Sequence, residues 1–100
     1  MKTLLTISTL VFTVMFSSPS FADADQGLAF YADGDFATAL GLFKKSAEQG
    51  DATSQFWLGN MYGSGEGVTQ DYKLAVKWIR KAAKQGHAGA QSVLDWLGAR

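Results

Sequence analysis

The chain contains no cysteine, one histidine and one proline. Without thiols there is no disulfide framework, no thiolate nucleophile and no cysteine-ligated metal. The one histidine, His87, has no second imidazole with which to build a zinc site. It lies just past a glycine break, at the start of a helical stretch, where an exposed side chain with no ligand or base role is expected. A surplus of charge is also missing, since nine Lys plus Arg stand against nine Asp plus Glu. That balance lacks the excess cations that neutralising phosphates requires, which argues against nucleic acid as a main partner. Stability has to come from packing alone. A chain this short buries only about 60–65% of its unfolded surface, so a marginal domain is expected.

The N-terminus has features of a leader. Lys2 is basic, and residues 4–16 (LLTISTLVFTVMF) form an apolar run interrupted only by Thr and Ser. A Ser-Ser-Pro-Ser break follows, and Ser20-Phe21-Ala22 then places small residues where a signal peptidase reads them. Cleavage after Ala22 is expected, with Ala24 as the alternative. The run has 13 positions, and a bilayer span needs about 20. The expectation is therefore a removable signal peptide, 1–22, and an exported chain in the periplasm or outside the cell with no integral span. Loss of Lys2 leaves a net charge near −1.

Beyond the leader the chain repeats. Asp35, Phe36, Ala39, Ala47, Gln49 and Gly50 recur 36 positions later as Asp71, Tyr72, Ala75, Ala83, Gln85 and Gly86. Ala52, Gln55 and Leu58 recur at the same offset as Ala88, Gln91 and Leu94. A period between about 20 and 50 residues points to a solenoid whose units bury apolar faces only against their neighbours. Residues 23–32 read as a first helix. Asp35 caps a second that runs to about Gln49, and Asp51 caps a third over 52–62. Gly59 inside the third costs helix propensity, which predicts a close helix crossing there.

A glycine loop, GSGEGVTQ, precedes the cap Asp71 and a fourth helix over 71–85. At 100° per residue Leu74, Ala75, Trp78, Ile79 and Ala82 share one face of it. Lys73, Lys77, Arg80, Lys81 and Lys84 share the opposite face, which predicts an outer, amphipathic layer. The last segment, 87–100, begins like the third helix but has Asp95 where Gly59 would stand and Gly98 where Tyr62 would stand. It reads as a terminal half-repeat.

Within 51–86 the pattern Ala52, Leu58-Gly59, Tyr62, Gly65, Gly67-Val68, Asp71, Ala75, Trp78, Lys81-Ala82-Ala83 and Gly86 resembles the Sel1-like repeat, a relative of the tetratricopeptide repeat. Residues 23–50, with Gly27, Phe30, Gly34, Asp35, Phe36 and Ala39, resemble a preceding unit with a shorter turn, and Ser46 stands there in place of Ala82. The resemblance implies an all-α superhelical solenoid of antiparallel helix pairs, about two and a half repeats long: 23–50, 51–86 and the half-unit 87–100. It implies a scaffold for protein partners. On the residues themselves, no cofactor and no catalytic residue are expected.

Sequence context decides between the readings open to particular residues. The loop Gly63-Ser64-Gly65-Glu66-Gly67 follows a helix, not a strand, and no Lys-Ser or Lys-Thr succeeds it, so a structural loop with positive-φ glycines is expected instead of a phosphate cradle. Ser54 or Ser64 with His87 and Asp51 could form a hydrolase triad on paper, but no nucleophile elbow surrounds either serine. Some cysteine-rich secreted relatives of this type are associated with β-lactams, and their paired cysteines are missing here. The basic face of the fourth helix, extended by Lys44 and Lys45, reads as a solvated surface, with attachment to an anionic surface as the alternative. Trp78 belongs to the repeat and is expected in the core. Trp57 and Trp96 stand where this repeat type commonly has polar residues. They are either packed or presented. If presented, they join Leu28, Phe56 and Asn60 in a concave strip for an extended or helical peptide. Self-association through the terminal helix is a further expectation.

Overall fold

The computed structural model describes residues 20–98. It consists of five helices: α1 (Ser20–Ala32), α2 (Phe36–Glu48), α3 (Ala52–Ser64), α4 (Tyr72–Lys84) and α5 (Ala88–Leu97). The apolar run at 4–16 lies outside the described residues. α1 begins at Ser20, not at Asp23, and so runs through the expected cleavage position. Nothing between Ser20 and Gln26 is a glycine or proline that would stop it. α3 likewise continues past Tyr62, because Gly63 remains helical and the left-handed residue that ends the helix is Gly65, at φ 77°.

The caps repeat with the sequence. Asp35, Asp51 and Asp71 each accept from the backbone N–H three residues on, at 3.3, 2.9 and 3.1 Å. His87 takes the position that Asp51 holds one repeat earlier. Its Nδ1 accepts from the N–H of Ala90 at 3.1 Å. His87 is therefore a half-buried cap and not the exposed side chain its neighbours in sequence suggest. Each cap satisfies a donor that the first turn of a helix leaves without an internal partner.

Every helix packs on the one before it, α1 on α2, α2 on α3, α3 on α4 and α4 on α5. Two cores result, and the second is the first displaced by one repeat. Phe43, Ala47 and Leu58 close the first core with Ala39 and Met61. Their counterparts Ile79, Ala83 and Leu94 close the second with Ala82 and Ala90. A ring such as that of Phe43, fully buried, contributes about 1.5–3 kcal/mol by leaving water.

Small residues set the spacing of the helices. A Cβ on Gly59 would lie 2.7 Å from Ile79 Cγ1 and 3.0 Å from the Ala75 carbonyl oxygen, so the close crossing expected of that glycine is present. A Cβ on Gly27 would lie 2.8 Å from the Phe43 ring. Gly27 and Gly59 are thus equivalent, at an offset of 32, whereas α2 and α4 are offset by 36. The difference arises in the connections: 33–35 is a tight turn, and 65–71 is a loop four residues longer.

Glutamines tie one unit to the next. Gln55 Nε2 donates to the Ala47 carbonyl at 3.2 Å, and Gln91 Nε2 donates to the Ala83 carbonyl at 3.2 Å, the same bond one repeat on. Gln85 Nε2 reaches back to the Gly50 carbonyl at 3.0 Å and to Gln55 Oε1 at 2.9 Å. Main-chain carbonyls at the joins between units, that of Ala47 among them buried, are thereby satisfied.

Candidate functional site

The largest exposed apolar side chain is that of Trp96, 84% accessible near the end of α5. It stands on the rim of a groove of about 230 Å³ between α3, α4 and α5. The C-terminal turns of α3 supply Gly59, Asn60, Gly63 and Ser64 to one wall. Tyr72 and Ala75, from the start of α4, and Val93, Trp96 and Leu97 of α5 supply the rest. The lining is mostly apolar, and the Asn60 carboxamide adds two donors and an acceptor. Tyr72, 52% exposed, also borders a shallower surface that runs along α4 through Lys73, Val76 and Arg80.

The residues expected to form one concave strip are divided by the structure. Trp57 is half-buried against the first core. Its ring lies 5.1 Å from that of Tyr31 and is stacked on that of Phe43 at 6.1 Å, so it serves helix packing. Phe56 is half-buried against the second core and stacked on the His87 ring at 4.7 Å. Leu28 packs on the first core. Of the five residues, Asn60 and Trp96 meet at the groove. Tyr72 is a groove residue that sequence alone does not single out. Its signal is an aromatic directly after a cap, one repeat on from Phe36.

On α4 the expected division of faces is present. Ala75, Ile79 and Ala82 are buried, and Leu74 and Trp78 are half-buried. Lys73, Lys77, Arg80, Lys81 and Lys84 are exposed. Lys81 Nζ lies 4.7 Å from the centre of the Trp78 ring, a cation–π contact that covers that half-buried indole. The glycine loop is structural. Gly65 and Gly67 have φ 77° and 72°, and Gly67 is pressed on the backbone of Phe36, where a Cβ would come within 2.9 Å of the carbonyl carbon and oxygen.

Of the residues that could form a hydrolase triad on paper, Asp51, His87 and Ser64 are engaged in other hydrogen bonds. Asp51 and His87 cap α3 and α5. The Ser54 hydroxyl is buried without a hydrogen-bond partner, so no base activates it. Among the described residues no three His, Asp or Glu side chains gather as a metal site would require.

The model of the Sel1 repeat matches residues 22–51 and again 52–87. The chain belongs to the Sel1 repeat family. A Sel1 repeat protein of Oxalobacter formigenes has a solved structure that superposes with a TM-score of 0.73 at 34% identity, over 86% of this chain and 39% of that one. Among curated relatives, an exopolysaccharide production negative regulator of Rhizobium meliloti is 43% identical over 59% of this chain and 22% of its own length. An F-box protein of Arabidopsis thaliana is 41% identical over 72% of this chain and 20% of its own. This Sel1 repeat chain thus spans about a fifth of the length of those relatives. Sel1 repeat proteins generally mediate protein–protein interactions and are typically scaffolds without enzymatic activity.

Proposed function

We propose that this Sel1 repeat chain is an exported interaction module that binds a protein or peptide partner at the α3–α4–α5 groove. The observation that carries the reading is Trp96, an indole left 84% accessible beside an apolar groove in a chain whose other two tryptophans are packed. Exposed aromatics of this kind are common anchors of protein interfaces. The Rhizobium meliloti relative, an exopolysaccharide production negative regulator, is in keeping with a module that acts by binding another protein. Export rests on the leader-like residues 1–22. The basic face of α4 supports attachment to an anionic surface as a second reading, because α4 carries five cations and no acidic residue.

The test replaces Trp96 by an aromatic photo-crosslinking amino acid, which keeps a ring at that position, in intact cells. Adducts to a discrete protein are expected from that position and not from Lys44, exposed on α2 away from the groove. Absence of any protein adduct at Trp96 would overturn the reading. N-terminal sequencing tests export: a mature chain beginning at Asp23 is expected, and Met1 retained in a membrane fraction contradicts it.

A further inference from the structure

The groove has a counterpart one repeat earlier, between α1, α2 and α3, and that counterpart is closed. The helix registers make the two spaces comparable residue by residue. Gly27, Phe36 and Ala39 of the first correspond to Gly59, Tyr72 and Ala75 of the second. In the first, Tyr31 and Trp57 fill the space, their ring centres 5.1 Å apart, and Phe36 closes on Tyr31 at 5.0 Å. In the second, the residue in the place of Tyr31 is Gly63 and the residue in the place of Trp57 is Val93. Two rings are gone, and the space they would take is open. Gly63 is not required by the backbone, because it is helical and a Cβ there would meet only Ala75 Cβ at an ordinary 3.6 Å. The opening is therefore a hollow of aromatic size between two helices spaced to pack around a ring.

On the Tyr72 side it adjoins a surface that carries cations. Tyr72 belongs both to the groove and to the α4 surface that carries Lys73 and Arg80. The acid nearest in sequence, Asp71, accepts from Leu74 N as the cap of α4. No cation of α4 forms an ion pair with another described residue.

On the reading that this groove is the partner site, we infer that it takes an aromatic side chain of an acidic peptide segment. The ring inserts where Tyr31 and Trp57 sit one repeat earlier, against Tyr72 and Trp96, and neighbouring carboxylates face Lys73 and Arg80. A lipid headgroup layer matches the cations but has no ring to put between the helices, so the hollow favours the peptide.

Short peptides with Trp, Phe or Ala at the centre and Glu, Gly or Lys on both flanks test this by fluorescence anisotropy with the purified protein. Aromatic centres with Glu flanks should bind tightest, with roughly tenfold loss on replacing the ring by Ala and weakening as salt is raised. Filling the hollow by Gly63→Tyr with Val93→Trp should abolish binding while helicity and thermal unfolding are kept or improved. Trp96→Ala, on an exposed residue that folding does not need, should weaken binding independently. The inference fails if Ala-centred or Lys-flanked peptides bind as well as the best of the set, if no peptide binds, or if the filled, folded variant binds like the parent. It also fails if phosphatidylglycerol vesicles bind and the filled variant retains them. A protein crosslinked at Trp96 together with any of these results would leave the interaction module standing and remove only the aromatic, acidic partner. Absence of a crosslinked protein would remove both.

Discussion

The hydroxyl of Tyr31 donates to Glu66 Oε1 at 2.8 Å, fastening α1 to the glycine loop 35 positions along the chain. Ser64 Oγ donates to the same oxygen at 2.9 Å. With Tyr31 also against Phe36 and Trp57, this phenol links both helices of the first unit to the second.

A pH dependence follows from that bond. The hydrogen bond to Glu66 raises the Tyr31 pKa above 10.0, burial adds to it, and the negative charge of Glu66 adds further. The folded state therefore favours the neutral phenol. Its contribution is complete below the unfolded value near 10 and is lost as pH rises through the higher folded value. Tyr31→Phe should cost about 1 kcal/mol at neutral pH, a modest loss because Glu66 keeps the Ser64 donor. Thermal unfolding of parent and variant should converge as the pH is taken well above 10. A gap that persists unchanged there would contradict the role of the bond.

The glycines of positive φ should not be equivalent. Gly34 has φ 83° with nothing within 4 Å of a Cβ, so Gly34→Ala should cost only the backbone strain, about 1 kcal/mol. Gly67 adds contact with the main chain of Phe36 at 2.9 Å, which no side-chain rotation relieves. Gly67→Ala should cost about 3 kcal/mol or more, and Gly67→Val at least as much. Denaturant unfolding of Gly34→Ala and Gly67→Ala side by side decides it. Equal losses would show that the loop can lift off α2.

His87 offers a cleaner separation of two effects. His87→Ala removes both the cap on Ala90 N and the stack on Phe56, and should cost about 1–2 kcal/mol. His87→Asp restores the cap in the form Asp51 already uses, and should recover roughly 1 kcal/mol of that loss. If the Asp variant is no more stable than the Ala variant, the stack on Phe56 and not the cap holds this helix start.

The features that were legible in the sequence are local or periodic. Asp caps, the apolar and basic faces of α4 and the crossing at Gly59 each depend on a few residues of one helix, and the offset of 36 links α2 to α4. What was hidden depends on register between helices. α1 relates to α3 at 32, not 36, because the first turn is four residues shorter. Tyr31 and Gly63 therefore do not look like counterparts until the turns are seen, and with them the filled and open spaces stay hidden. Trp57 and Trp96 look alike in the sequence for the same reason. The neighbour of Trp57 is Tyr31, one unit back, and Trp96 has no such ring beside it. The cap at His87 is not legible from its own residue type, because histidine seldom takes that position, and only the comparison with Asp51 points to it.

Trp57 and Trp96 provide the last test, because the structure gives them opposite roles. Trp57 is wedged between Tyr31, Phe43 and Phe56, so Trp57→Ala empties part of the first core. Its half-buried ring should cost about 3 kcal/mol, a large share of what a domain this small has to lose. Trp96→Ala removes an indole that is mostly in water and should shift stability by no more than about 0.5 kcal/mol. Binding should respond in the reverse order. If Trp96 is presented to the partner, its loss should weaken binding by about 2 kcal/mol or more with unfolding unchanged. Replacing Lys77 and Lys81 by Gln should matter less for binding: Lys77 does not border the groove, and Lys81 lies over Trp78. Circular dichroism melts and partner titrations on the same three preparations separate the outcomes. A Trp96→Ala protein that binds as the parent does, beside a folded Lys variant that has lost the partner, would move the site from the groove to the basic face of α4.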